Sequence, residues 1–138
     1  MILYPEGFMR KAVINGNIIL PGEILQDKTL LIYEDKIEAI VPSFYNVEGC
    51  QIIDAKGLYV SPGFIDMHVH GGGGYSFMDG DVESFLKVAE THAKHGTTAM
   101  LPTTMACSLE ELKQTLSVYD AADAANHRGS QFLGFNLE

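Results

Sequence analysis
The hydrophobic pattern of the chain changes period near Leu58, and this change restricts the possible folds more than any other feature. Before it, short apolar bursts are separated by turn residues. Ala12-Val13-Ile14 and Ile18-Ile19-Leu20 flank Asn15-Gly16, a dipeptide that tolerates the positive φ of a tight turn and so predicts a β-hairpin. Leu30-Leu31-Ile32-Tyr33 and Ile37-Glu38-Ala39-Ile40-Val41 flank Glu34-Asp35-Lys36 and predict a second hairpin, and Gln51-Ile52-Ile53 predicts one more strand before an Asp54-Ala55-Lys56-Gly57 turn. After Leu58, strands alternate with helices. Val60 to His70 is an apolar run with Pro62-Gly63 near its start. Val82, Phe85, Leu86, Ala89 and Ala93 share one helical face, with Asp81 placed to cap the helix and Gly96 to end it. Thr97 to Thr103 predicts a second strand. Ser108 and Glu111 stand in capping-box spacing ahead of a second helix whose apolar stripe is Leu109, Leu112, Leu116 and Tyr119, and Gln131 to Leu137 predicts a third strand. This alternation belongs to an α/β fold with a parallel sheet or barrel. It supplies about two and a half βα units, whereas a closed barrel has eight, so the chain is expected to stop before its barrel is complete.

Composition narrows the function classes. With 46% hydrophobic residues in 138, the chain has ample material for a packed core. Eighteen acidic residues against nine basic ones give a formal net charge of −9, which repels nucleic acid and anionic membrane surfaces. The start, Met1 to Glu6, carries no basic stretch followed by an apolar run, and nothing later approaches the ~20 apolar residues of a membrane span. A cytoplasmic protein with neither nucleic acid nor membrane as partner is the expectation. Cys50 and Cys107 lie far apart without Cys-x-x-Cys spacing, which indicates neither a disulfide framework nor a thiolate zinc site.

The segment that carries chemistry is Pro62-Gly63-Phe64-Ile65-Asp66-Met67-His68-Val69-His70. Side chains at i and i+2 of a strand point to the same face, so both imidazoles can converge on one cation at the strand's carboxyl end, while Val69 points the other way, toward a helix. Asp66 shares the histidine face one step below, where it either orients a ligand or satisfies a hydrogen bond of its own. A bare His-x-His is more often a pair of ordinary half-buried histidines. Its setting here favours a site, because imidazoles at the end of an apolar strand need polar partners and Gly71-Gly72-Gly73-Gly74 lets the backbone come close to them. Those glycines also suit a plain flexible loop; without a following Gly-Lys-Ser/Thr they are no phosphate-binding loop. Thr103 and Thr104 either present hydroxyls to a substrate or are common strand threonines. His92 and His95 on the first helix are expected to be structural, and His127 solvated.

Asp54-Ala55-Lys56-Gly57, Pro62-Gly63-Phe64-Ile65-Asp66 and His68-Val69-His70 together resemble the opening of the barrel in the amidohydrolase superfamily. With the glycine cluster, Phe77-Met78-Asp79, Gly96-Thr97-Thr98-Ala99, Leu101-Pro102-Thr103 and Asn136-Leu137-Glu138, the resemblance extends to its N-acetylglucosamine-6-phosphate deacetylases. It implies residues 1–57 as part of a small β-sandwich domain and residues 58–138 as the first βα units of a (β/α)8 TIM-like barrel. It implies His68 and His70 as first-strand metal ligands and Glu138 as the third-strand glutamate that binds the metal. Read without it, Glu138 is a surface carboxylate. Asn136 departs from the histidine that the family often has there. The resemblance further implies one or two divalent ions, zinc or iron foremost with manganese or cobalt as alternatives, a phosphorylated amino sugar as substrate, and a homodimer when full length.

The implied reaction is hydrolysis of the acetamide of N-acetylglucosamine 6-phosphate to glucosamine 6-phosphate and acetate. A divalent metal assists it by acidifying water and polarising the carbonyl. The general acid and base and the groups that grip the phosphate are expected beyond residue 138, so no catalytic residue is assigned within the chain, which alone is expected to be inactive and to expose unpartnered strand edges. The competing readings are another amidohydrolase, such as a dihydroorotase, hydantoinase or nucleobase deaminase, and a non-catalytic truncated α/β module.

Overall fold
The computed structural model describes residues 9–138. The opening residues considered above for a targeting signal, Met1 to Glu6, lie outside the described residues. The chain divides into two compact units, Met1–Pro62 and Gly63–Glu138. No helix among the described residues is long and apolar enough to cross a membrane.

The first unit is built of strands β1 (Lys11–Ile14), β2 (Asn17–Leu20), β3 (Glu23–Leu25), β4 (Lys28–Tyr33), β5 (Lys36–Pro42), β6 (Gln51–Asp54) and β7 (Tyr59–Val60). One sheet has the order β5-β4-β1-β6 and the other β3-β2-β7. The predicted β4–β5 hairpin is present: Tyr33 pairs with Lys36 across Glu34-Asp35, with Glu34 at φ 55°. The hairpin predicted at Asn15-Gly16 is not. Asn15 does take a positive φ of 56°, but β1 pairs with β4 and β6, and β2 with β3 and β7, so the turn is a corner between two sheets. The reason is burial. Two facing sheets each hide one face, and Val13, Ile18 and Leu30 do so in one cluster with Leu20, Ile32, Ile40 and Val60. Gly16 permits the corner, because a Cβ there would sit 2.6 Å from Val60 Cγ2. Pro21-Gly22 makes an unanticipated hairpin between β2 and β3, with Gly22 at φ 87° as the second central residue. At the Asp54 turn, Oδ1 accepts 2.9 Å bonds from the Lys56 backbone N–H and the Asn15 amide, which hold the carboxyl below its ordinary range.

The second unit runs β8 (Phe64–Val69), β9 (Gly71–Gly72), β10 (Tyr75–Ser76), a 3-10 turn (Phe77–Asp79), α1 (Val82–Ala93), β11 (Thr97–Pro102), α2 (Leu109–Ser117), α3 (Tyr119–Ala125) and β12 (Gln131–Phe132). The predicted strand, helix, strand, helix, strand order is observed, and the three main strands are parallel with β11 in the middle. Among the described residues no closed barrel is seen: β8 and β12 are edges. Val69, Phe77, Phe85, Val88, Ala89, Met100, Ala122 and Phe132 form the core between sheet and helices. Val69 thus points to the helix side, as its place between two histidines predicts. Ile65 and Met67, earlier in the same strand, are 62% and 69% exposed.

The helices depart from the sequence reading in two ways. α1 buries Ser84, Phe85, Val88 and Ala89, a face rotated from the predicted stripe so that Val88 is inside and Leu86 lies at its margin. The predicted second helix is broken into α2 and α3, and its stripe is only partly covered: Leu109 and Leu116 are exposed, Leu112 is half-buried, and Tyr119, which opens α3, packs against the core. Periodicity reports that a helix is amphipathic, not that a partner covers it. The third strand is also shorter than predicted. The chain leaves the ladder after Phe132, with Gly134 at φ 127°, and returns for one bridge, Asn136 to Thr103.

The predicted caps form. Asp81 accepts from the Ser84 N–H and hydroxyl at 2.9 and 2.8 Å, and Ser108 and Glu111 make a reciprocal capping box. Bonds from Ser84 to Asp81, and from Ser108 to Glu111, hold both carboxyls below their ordinary values. A depressed folded-state pKa adds stability that is complete above the unfolded carboxylate range and is lost as pH falls through the folded value. The unfolding midpoint is therefore expected to drop on acidification below pH ~4, and Asp81→Asn, which can still cap, should flatten that acid limb. An unchanged acid limb in the variant would remove Asp81 from the account.

Candidate metal centre
The site is assembled at the carboxyl ends of the three parallel strands. His68 is the penultimate residue of β8, His70 follows its last residue, and Glu138 lies beyond β12. Their donor atoms converge. His68 Nε2 is 3.2 Å from His70 Nε2, and Glu138 Oε2 is 3.2 Å from His70 Nε2 and 3.5 Å from His68 Nε2. All three side chains keep access to solvent, with His70 the least exposed at 38%. Among the described residues this is the one cluster of histidine, cysteine and carboxylate side chains with the spacing of a metal site.

The protonation pattern follows from the neighbours. His70 Nδ1 faces the Thr103 carbonyl oxygen at 3.3 Å, and a carbonyl only accepts, so the ring proton sits on Nδ1 and the Nε2 lone pair points into the cluster. A ring with this tautomer would offer Nε2 to a cation. The two Nε2 atoms face each other at 3.2 Å. Donor separations fit the test of geometry. Bonds of about 2.0–2.1 Å to a tetrahedral ion put ligand atoms roughly 3.3–3.4 Å apart, and the three observed separations are 3.2, 3.2 and 3.5 Å. Two neutral nitrogens and one carboxylate oxygen suit zinc or another borderline divalent ion.

The surrounding residues resolve the open readings. Asp66 Oδ1 accepts from the His68 backbone N–H at 3.1 Å and thereby braces the strand beneath the ligand. The glycine cluster is neither a loose loop nor a phosphate cradle. Gly71-Gly72 and Tyr75-Ser76 pair as a small hairpin turned by Gly73 and Gly74 at φ 64° and 88°, and His92 Nε2 donates to the Gly71 carbonyl at 3.1 Å. His92 therefore ties the segment after His70 to α1. His95 Nδ1 donates to the Thr91 carbonyl one turn back, and His127 is exposed, so neither joins the cluster. Thr103 and Thr104 do not present hydroxyls to a substrate. They are 0% and 1% exposed, with both hydroxyls turned to protein partners. Cys50 and Cys107 are free thiols; neither is buried.

The parallel α/β unit with a His-x-His and a glutamate at its strand ends defines a class. Residues 51–128 match the Amidohydrolase family, more than half of the chain, and the chain belongs to that family. Among its relatives is the N-acetylglucosamine-6-phosphate deacetylase of Haemophilus influenzae, 32% identical over 131 residues, which is 94% of this chain and 34% of that protein. The crystal structure of N-acetylglucosamine-6-phosphate deacetylase from Pasteurella multocida superposes with a TM-score of 0.83 at 32% identity, again over 94% of this chain and 34% of that one. A dihydroorotase of Staphylococcus aureus is 47% identical over 60 residues, 44% of this chain and 14% of its own length. The chain thus spans about a third of the length of the deacetylases that it matches.

Proposed function
We propose that the protein carrying this chain is a metal-dependent deacetylase that hydrolyses the acetamide of N-acetylglucosamine 6-phosphate to glucosamine 6-phosphate and acetate. The observation that carries this is the convergence of His68, His70 and Glu138 within 3.5 Å of one another, in a chain that aligns with deacetylases over 94% of its length. These three side chains would hold a divalent ion, zinc or iron by the hardness of the donor set. When bound, such an ion supplies a water that ionises near neutral pH and a Lewis acid for the amide carbonyl. His70 contributes a preset lone pair, His68 a second nitrogen, and Glu138 the negative charge that offsets part of the cation's. The general acid and base and the phosphate-binding groups would come from barrel strands after residue 138.

The dihydroorotase relationship supports a second reading, hydrolysis of a cyclic amide, and it rests on the higher local identity of 47%. Its reach of 60 residues covers less than half of the chain, whereas the deacetylase match runs over 131 residues, 94% of the chain. The test is an acetate-release assay on N-acetylglucosamine 6-phosphate with the protein as its gene encodes it, loaded with zinc or iron. Release that stops on chelation and returns with metal is the expected outcome. No acetate, together with ring opening of dihydroorotate, would transfer the assignment to the second reading.

A further inference from the structure
We propose that Thr103 and Thr104, at the end of the central strand, are positioning residues that lock the two outer, ligand-bearing strands into the register at which His70 and Glu138 meet. The inference rests on the metal-site reading above and concerns what holds its ligands apart from the ion. The ligands come from two chain segments 68 positions apart, His70 and Glu138, neither of which belongs to the middle strand. On the β8 side, Thr103 Oγ1 accepts from the Val69 N–H at 3.0 Å, Thr103 N–H donates to the Val69 carbonyl at 2.8 Å, and the Thr103 carbonyl accepts from His70 Nδ1 at 3.3 Å. Val69 is the residue between the two histidines, so this clamp sets the height of both, and the carbonyl also sets the tautomer of His70.

On the other side, Asn136 Nδ2 donates to the same Thr103 hydroxyl oxygen at 3.4 Å. The Thr104 N–H donates to the Asn136 carbonyl at 3.1 Å, and Thr104 Oγ1 accepts from the Glu138 N–H at 3.1 Å. β12 leaves the regular ladder after Phe132 and regains backbone pairing at Asn136, whose N–H donates to the Pro102 carbonyl at 2.9 Å, but among the described residues the Glu138 N–H has no backbone partner in the ladder. A hydroxyl replaces the missing ladder bond at the ligand itself. Complete burial of both threonines makes the arrangement specific, because water does not compete for either hydroxyl and an unmade bond there is costly.

The test compares Thr104→Val, which keeps the shape and removes the acceptor, with Thr104→Ser, which keeps the acceptor. Zinc affinity is measured on the metal-free, full-length protein by competition with a chromophoric chelator, and apo-protein unfolding is followed in parallel. Loss of a group that orients a ligand typically costs about 10–100-fold in metal affinity, so Thr104→Val is expected to bind zinc that much more weakly and Thr104→Ser within about threefold of the parent. A merely structural threonine would lower apo stability in Thr104→Val and leave zinc affinity alone, which overturns the proposal. Absence of zinc binding in the parent would instead overturn the metal-site reading itself. Should Thr104→Val fail to fold, amide exchange at Glu138 in the parent decides: protection supports the tether, and exchange at the rate of an unbonded amide removes it.

Discussion
Replacing His70 with alanine is expected to abolish high-affinity metal binding and to lower turnover by on the order of 10³-fold or more, since even groups behind a ligand are typically worth about 10–100-fold. The expectation rests on three features that only His70 combines. It is the least exposed of the three side chains, its Nδ1–H is held by the Thr103 carbonyl, and its Nε2 lies within 3.2 Å of both other donors. Removing it leaves His68 and Glu138 with a 3.5 Å contact and no fixed ring between them. Bound metal per chain by elemental analysis, and acetate release at saturating zinc by the full-length protein, are the measurements. A variant that keeps a full complement of metal and more than a tenth of the activity would show that the cation sits elsewhere.

The largest loss of stability is expected from Phe85→Ala. Phe85 is fully buried on α1 and makes T-shaped contacts with Phe77, Phe132 and Phe135 at ring separations of 4.8, 5.9 and 6.0 Å. Truncating a buried Phe typically costs about 3–5 kcal/mol, from lost transfer energy plus the cavity left behind, and the edge-to-face contacts add to it. Against a total stability of roughly 5–15 kcal/mol for an ordinary domain, that is a large share. Phe85→Leu should cost distinctly less because it keeps most of the volume. Denaturant midpoints compare the three proteins, and a loss under about 1 kcal/mol for the alanine variant would contradict the packing described. The change also bears on the site. Phe77 follows the glycine hairpin after His70, and Phe132 ends the strand that leads to Glu138, so loosening the ring cluster loosens the approach to the ligands from both sides.

Several elements were legible in the residues because their signals are local. Asp81 and the Ser108/Glu111 pair cap helices through bonds spanning three residues, and Glu34-Asp35 turns β4 into β5 with no help from distant parts of the chain. His68 and His70 share a face because strand geometry alternates side chains, whatever the strand packs against. Asn15-Gly16 marks the opposite case. The dipeptide produced the expected positive φ, yet which strands lie beside β1 and β2 was settled by which apolar faces could be hidden together. The same limit explains α2, whose apolar stripe is plain in the sequence yet leaves Leu109 and Leu116 exposed in the structure.

The candidate site divides along the same line. By itself the sequence determined that two imidazoles would stand together at the end of an apolar strand, since that follows from a two-residue period. That Glu138 reaches them depends on β11 pairing in parallel with both β8 and β12, and on the backbone and hydroxyl bonds of Thr103 and Thr104 past the end of the ladder. Only the tertiary structure could decide this. A side chain's direction is fixed by its neighbours in the chain, whereas the meeting of residues 68 positions apart is fixed by long-range hydrogen bonds and by the apolar surface that the paired strands bury.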